Sequence, residues 1–106
     1  MPKYLMSGSY TVEGLKGVIK DGGTKRVQAI KMAVESLGGK LESIYFAFGD
    51  EDFYFIVDGV SNVTTLAGCM MSNAIGTSKL KTTVLLTPEE VDQATEMTMD
   101  YRPPGQ

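Results

Sequence analysis

The sequence predicts an α+β domain: one four-stranded sheet with two long helices on one side and a short helix added near the C-terminal end. Three observations predict it. β-branched and aromatic runs recur at four places, apolar residues at the spacing of one helical face lie between them, and Gly or helix-capping residues punctuate the junctions. The 106 residues are 42% hydrophobic and 22% charged, enough apolar material for one core, so residues 1–106 are expected to form a single domain.

The first strand is residues 3–11, KYLMSGSYT, where Tyr4, Met6, Gly8 and Tyr10 alternate with Leu5, Ser7, Ser9 and Thr11. Gly14, Gly17 and Gly22-Gly23 follow, so residues 12–21 read as a turn or short helix leading into a loop, with Thr24 as N-cap of the first long helix. That helix covers residues 25–37. Val27, Ile30, Ala33, Val34 and Leu37 share one face, and Gly38-Gly39 stop it. Residues 40–48 and 52–58 are two β runs joined by Gly49-Asp50-Glu51, a hairpin. Ser61-Asn62 open the second long helix, whose apolar stripe, including Val63, Leu66, Met70 and Met71, is expected to pack on the sheet and ends at Gly76. Residues 79–86 form the fourth strand. Thr87-Pro88-Glu89-Glu90 is a capping box with Pro at the first helical position, so a short third helix follows through Val91, Ala94 and Met97 until Pro103-Pro104 bar its continuation. The order strand, helix, strand, strand, helix, strand is that of a ferredoxin-like βαββαβ fold with an extra C-terminal helix.

With both long helices on one side, Tyr4, Met6, Phe46, Phe53, Phe55 and Leu80 fall on the parity that meets them. The other parity should then be plainly polar, as on an antiparallel sheet with one wet face. Instead, Leu5, Leu41, Tyr45, Tyr54, Ile56 and Leu85 stand there among Ser, Thr, Lys and Asp residues. Left open, they would make a larger apolar patch than a monomer ordinarily exposes. Two such sheets packed face to face cover each other, so a homodimer forming a dimeric α/β barrel, or a higher assembly of dimers, is expected.

The residues that are missing restrict the chemistry. The chain has no His and no Trp, which removes Ser-His-Asp and Cys-His catalysis and every His-ligated metal or haem. Cys69 is the lone cysteine, set among apolar helix residues with no His to activate it, so an inert thiol is expected, with neither disulfide nor metal cage. A net charge of −3 and a pI of about 4.8 argue against a nucleic-acid partner. No apolar run reaches the roughly 18–20 residues that span a bilayer, and Met1-Pro2-Lys3-Tyr4-Leu5 lacks the core of a signal peptide. No membrane partner and a cytoplasmic location are therefore expected. The glycines between Gly14 and Gly23 lack phosphate-loop spacing, and no metal or cofactor is indicated.

Several stretches together resemble one family. They are Tyr10-Thr11 with Gly14, Leu37-Gly38-Gly39-Lys40-Leu41, Phe48-Gly49 with Asp52 before a β run, Leu80-Lys81-Thr82-Thr83 leading to Leu85-Leu86-Thr87-Pro88-Glu89-Glu90, and the closing Tyr101-Arg102-Pro103-Pro104-Gly105. In order and spacing the whole chain is similar to GYD domain proteins. The resemblance implies a dimeric α/β barrel of ferredoxin-like topology and brings no established activity with it. At the motif behind the family's name, Gly49 and Asp52 stand where the Gly and Asp are expected, while Glu51 occupies the Tyr position.

Folds related to the family hold small, often aromatic ligands between sheet and helices. By that analogy Tyr4, Tyr10, Phe46 and Met70 are the candidate ligand-binding residues, with Gly8 leaving room either for a ligand or for a helix residue. Asp50-Glu51-Asp52 reads as a solvated turn in which Asp52 caps backbone N–H groups, and Lys79 and Lys81 as ion-pair partners of Asp52 and Asp58 between subunits. A nucleophilic lysine is disfavoured, since carboxylates nearby raise its pKa. The functional expectation is a small oligomeric protein serving assembly or small-molecule binding in the helix–sheet cleft. The alternative is a cofactor-free oxygenase or isomerase acting on a small aromatic or carboxylic compound, with Tyr, Asp and Lys left to do the acid–base work.

Overall fold

The structure, a computed structural model, describes residues 2–106. Its elements are β1 (Lys3–Tyr10), α1 (Val12–Asp21), α2 (Gly23–Ser36), β2 (Lys40–Phe46), β3 (Phe53–Asp58), α3 (Asn62–Ile75), β4 (Ser78–Leu85) and α4 (Pro88–Thr95). The strands form one antiparallel sheet in the order β2-β3-β1-β4, a mixed α+β arrangement consistent with the ferredoxin-like class.

Local chemistry accounts for the helix ends. Ser61 caps α3 by accepting from the Thr64 N–H, and Gly76 closes it in the left-handed conformation at φ 84°. At α4 the Thr87 hydroxyl accepts from the Glu90 N–H while the Glu90 side chain accepts from the Thr87 N–H, the reciprocal capping box. Residues 12–21 take the helical one of the two expected forms, but the expected loop after them is absent. They form a ten-residue helix, capped by Thr11, and no loop precedes α2. Gly22, at φ 83°, turns the chain in one residue, giving its N–H to Val18 and its carbonyl to the Arg26 N–H. Gly22 thereby takes the N-cap position, and Thr24 lies inside α2 rather than capping it.

The strand register assigns the faces. Tyr4 pairs with Val57 and Val84, and Met6 with Phe55 and Thr82, which puts one parity of β1, β3 and β4 under the helices. On β2 the register shifts between Leu41 and Ser43. This bulge turns Leu41 toward the helices, where it packs on the core, and removes it from the outer face on which strict alternation had placed it. The outer face keeps Leu5, Tyr45, Tyr54, Ile56 and Leu85.

The core is small: Tyr4, Met6, Ile30, Val34, Phe53, Phe55, Val57 and Val60 are buried. At its centre the Phe53 ring crosses β1 over Gly8. A Cβ at Gly8 would collide with Phe53 Cζ and stand 2.9 Å from the Lys79 carbonyl oxygen, so the space at Gly8 is taken by a strand neighbour rather than by a ligand or helix residue. Tyr10 and Phe55 flank that ring at centroid distances of 5.0 and 5.9 Å.

Two features depart from an ordinary monomer. Helix α3 turns Thr65, Gly68, Cys69 and Ser72 inward, and its large residues Val63, Leu66, Met70 and Met71 outward. The apolar stripe thus faces away from the sheet it was expected to cover, because the small side chains let α3 sit close to β4. Helix α4 has no buried residue and lies largely free of the other elements, with Leu86, Val91, Met97, Met99 and Tyr101 exposed. The chain measures 59 × 33 × 23 Å with a radius of gyration of 17.4 Å, against about 13 Å for a compact chain of this length.

Replacing Gly8 with Ala should cost about 1–3 kcal/mol through overpacking. In a Phe53→Leu background the same change should cost clearly less, a coupling that thermal melts of the four proteins would measure. Equal costs in both backgrounds would refute the role given to the ring.

Candidate functional site

Helix α2 packs over the β2 side of the sheet and α3 over the β4 side, and the two do not close on each other. Between them lies a cleft of about 370 Å³. Met6, Phe53 and Phe55 form its floor, Ile30 and Val34 its α2 wall, and Thr65, Gly68, Cys69 and Ser72 its α3 wall. The thiol of Cys69 lies 2.9 Å from the Thr82 hydroxyl, which reaches Met6 Sδ at 3.5 Å, so the one sulfhydryl is engaged within the wall. Arg26 stands where the cleft meets a second recess of about 230 Å³ bordered by Tyr10, Glu13, Asp21 and Thr77. The Arg26 Nε and the Tyr10 hydroxyl are both enclosed and have no hydrogen-bond partner among the described residues.

The four candidate ligand residues do not converge. Tyr4 is 1% exposed and donates its hydroxyl proton to Asn62 Oδ1 at the start of α3, so it is committed to holding that helix. Tyr10 borders the smaller recess. Phe46 ends β2 at 43% exposure, and Met70, at 62% exposure, lies on the outer face of α3; neither is on the wall of the cleft. Two features of the cleft escaped the sequence reading. Arg26 precedes Ile30, Ala33 and Leu37 at spacings of four, seven and eleven, which places it on the same helical face, but its charge set it apart from the apolar stripe. Thr65, Gly68, Cys69 and Ser72 carry a helical period too, masked by the stronger period of the large residues.

Gly49 and Asp52 lie in the segment that joins β2 to β3. Gly49 has φ 96°, which a residue with a side chain adopts only under strain. The Asp52 carboxylate accepts from the Tyr10 N–H at 2.8 Å, its own N–H donates to the Gly8 carbonyl, and its carbonyl accepts from the Ala47 N–H. The cap expected of Asp52 is present, but it fastens the end of β1 rather than the turn itself. Glu51 folds onto the outer face of the sheet, where Lys81 donates to it at 2.8 Å; the carboxylate side chain is 12% exposed and its other oxygen has no partner among the described residues. The bond to Glu51 and the charges of Glu51 and Asp50 hold the Lys81 pKa above its usual 10.5, so this lysine is a firmer cation and a poorer nucleophile than a free one. Lys3 is raised in the same way by the bond it donates to Glu42.

Asp52→Ala should lower stability by about 1.5–3 kcal/mol, the worth of a hydrogen bond to a charged group, and an unchanged melting temperature would count against the fastening role. The raised Lys81 pKa means its pairing with Glu51 stabilises the fold at neutral pH and fades as pH climbs past 10.5. Stability curves of native protein and Lys81→Met should therefore converge in that alkaline range, and a gap that persists there would contradict the pairing.

Among the described residues no helix is long and apolar enough to cross a membrane. No curated protein and no solved structure matches the chain. The family model of the GYD domain matches residues 4–95, from the first strand to the end of α4, and the chain therefore belongs to the GYD domain family.

Proposed function

We propose that the working unit is a homodimer, or an assembly of dimers, in which ferredoxin-like subunits pack sheet to sheet as an α/β barrel, and that the cleft of each subunit binds a small molecule. The observation that carries the assembly half is the apolar surface the fold leaves uncovered. Leu5, Tyr54 and Ile56 sit together on the outer face, the large residues of α3 point outward, and the α4 arm has no cover from its own chain. Stable protein pairs ordinarily cover roughly 800 Å² per partner, and apolar surface of this kind is what such interfaces bury. The cleft supports the binding half: it is concave, its floor and α2 wall are apolar, and hydroxyl groups and one arginine supply polar contacts, as in small-molecule sites.

Binding is favoured over turnover by how the polar groups are used. The Tyr4 hydroxyl and the Asp52 carboxylate, two of the groups a cofactor-free enzyme would need, are engaged in structural hydrogen bonds, and Lys81 is held protonated. Light scattering at tens of micromolar should give a mass of two chains or a multiple of two, and a monomer would overturn the assembly reading. Ile56→Lys places a charge at the middle of the outer face and should yield folded monomers, with helical circular dichroism retained.

A further inference from the structure

Resting on the reading of the cleft as a small-molecule site, we infer that its ligand is an amphiphilic monoanion: an apolar body lying between α2 and α3, with a carboxylate at the Arg26 end. Among the described residues Arg26 is the one charged side chain on the wall of this cavity, and everything else there is apolar, hydroxyl or thiol. Its Nε is enclosed without an acceptor. A buried guanidinium donor without a partner is costly, and the planar fork of arginine matches a carboxylate better than any other anion of one charge.

Among the described residues no carboxylate lies within salt-bridge distance of Arg26. Glu13 and Asp21 border the adjoining recess, yet neither forms a salt bridge with Arg26; the ion pairs of the described residues are Lys3–Glu42, Lys31–Glu35 and Lys81–Glu51. Those same two acids disfavour a dianion such as a phosphate ester, which a single arginine would leave undercompensated. Thr77 and Ser78 line the cleft, and Thr77 shares the adjoining recess with Arg26, so hydroxyl groups stand at the charged end. The cavity of about 370 Å³ has room for roughly a dozen heavy atoms at the ~30 Å³ that a water-sized group occupies. A ten-carbon fatty acid has that size and polarity.

The test is methionine-methyl NMR on the full-length protein. Met6 lies on the cleft floor, whereas Met32, Met70, Met71, Met97 and Met99 are exposed elsewhere, so the Met6 signal reports occupancy of the cleft. Decanoate and decan-1-ol, which share one apolar chain, are titrated separately. Both should move the Met6 signal, with decanoate bound about tenfold or more tightly. Arg26→Gln should bring decanoate down to the affinity of the alcohol while leaving the alcohol's own affinity unchanged, and Arg26→Lys should retain a preference for the acid. Equal affinities in the native protein, or a preference that survives Arg26→Gln, would overturn the anion assignment and leave the cleft reading standing. If neither compound moves the Met6 signal, the cleft reading fails and this assignment with it.

Discussion

The Phe53 ring lying across Gly8 is the contact around which the domain is organised. It can lie there only because β1 has no side chain at that position, and the Lys79 backbone closes the same space from the β4 side. With the ring in place, Tyr10, Phe53 and Phe55 form an aromatic ridge along the middle of the sheet. Asp52, the residue just before the ring, ties β3 to β1 through the Gly8 carbonyl and the Tyr10 N–H. Gly49 and Asp52 are thus parts of one structural joint. Gly49 permits the turn, and Asp52 locks the strand that presents the ring.

That ridge also determines where the cleft lies. The two long helices sit toward opposite edges of the sheet, and the aromatic strip between them stays partly uncovered as a floor. A closed core would have required large side chains on the inner face of α3. They are on its outer face instead, and small hydroxyl and thiol groups line the inside. The domain therefore has a small apolar core, an open cleft beside it and large apolar side chains on the outer face of α3. An open cleft between the helices and an apolar outer helix face are two consequences of this one arrangement.

Much of this was legible in the sequence. Ser61, Gly76 and the Thr87–Glu90 box mark helix ends through hydrogen bonds between near neighbours, so local sequence suffices to find them. What was not legible depends on distant partners. A loop is expected between residues 21 and 25, and instead Gly22 joins α1 to α2 in one residue, while α1 is held by its Thr11 cap and by the Thr77 carbonyl, which approaches where Gly14 has no side chain. The bulge at Leu41–Ser43 is a backbone event in a segment with no glycine to announce it, and it moves one leucine from one face to the other. Periodicity showed that α3 has an apolar stripe but not what the stripe faces. Strand parity and the analogy with related folds point to Tyr4, Tyr10, Phe46 and Met70, whereas the cleft is lined by α2, by Arg26, and by side chains too small to stand out in a sequence.

The sheet ends on two edges, β2 and β4, and neither is an open template. On β4, Asn73 Oδ1 accepts the Leu80 N–H at 2.8 Å, so α3 occupies a backbone donor that an incoming strand would need. On β2, the bulge breaks the regular spacing of backbone groups, and exposed Lys40 and Glu42 flank it. Edges blunted in this way resist strand-by-strand extension. The backbone edges are thereby poor places to add a strand, and a growing sheet is the one form of association that this fold discourages from the outset.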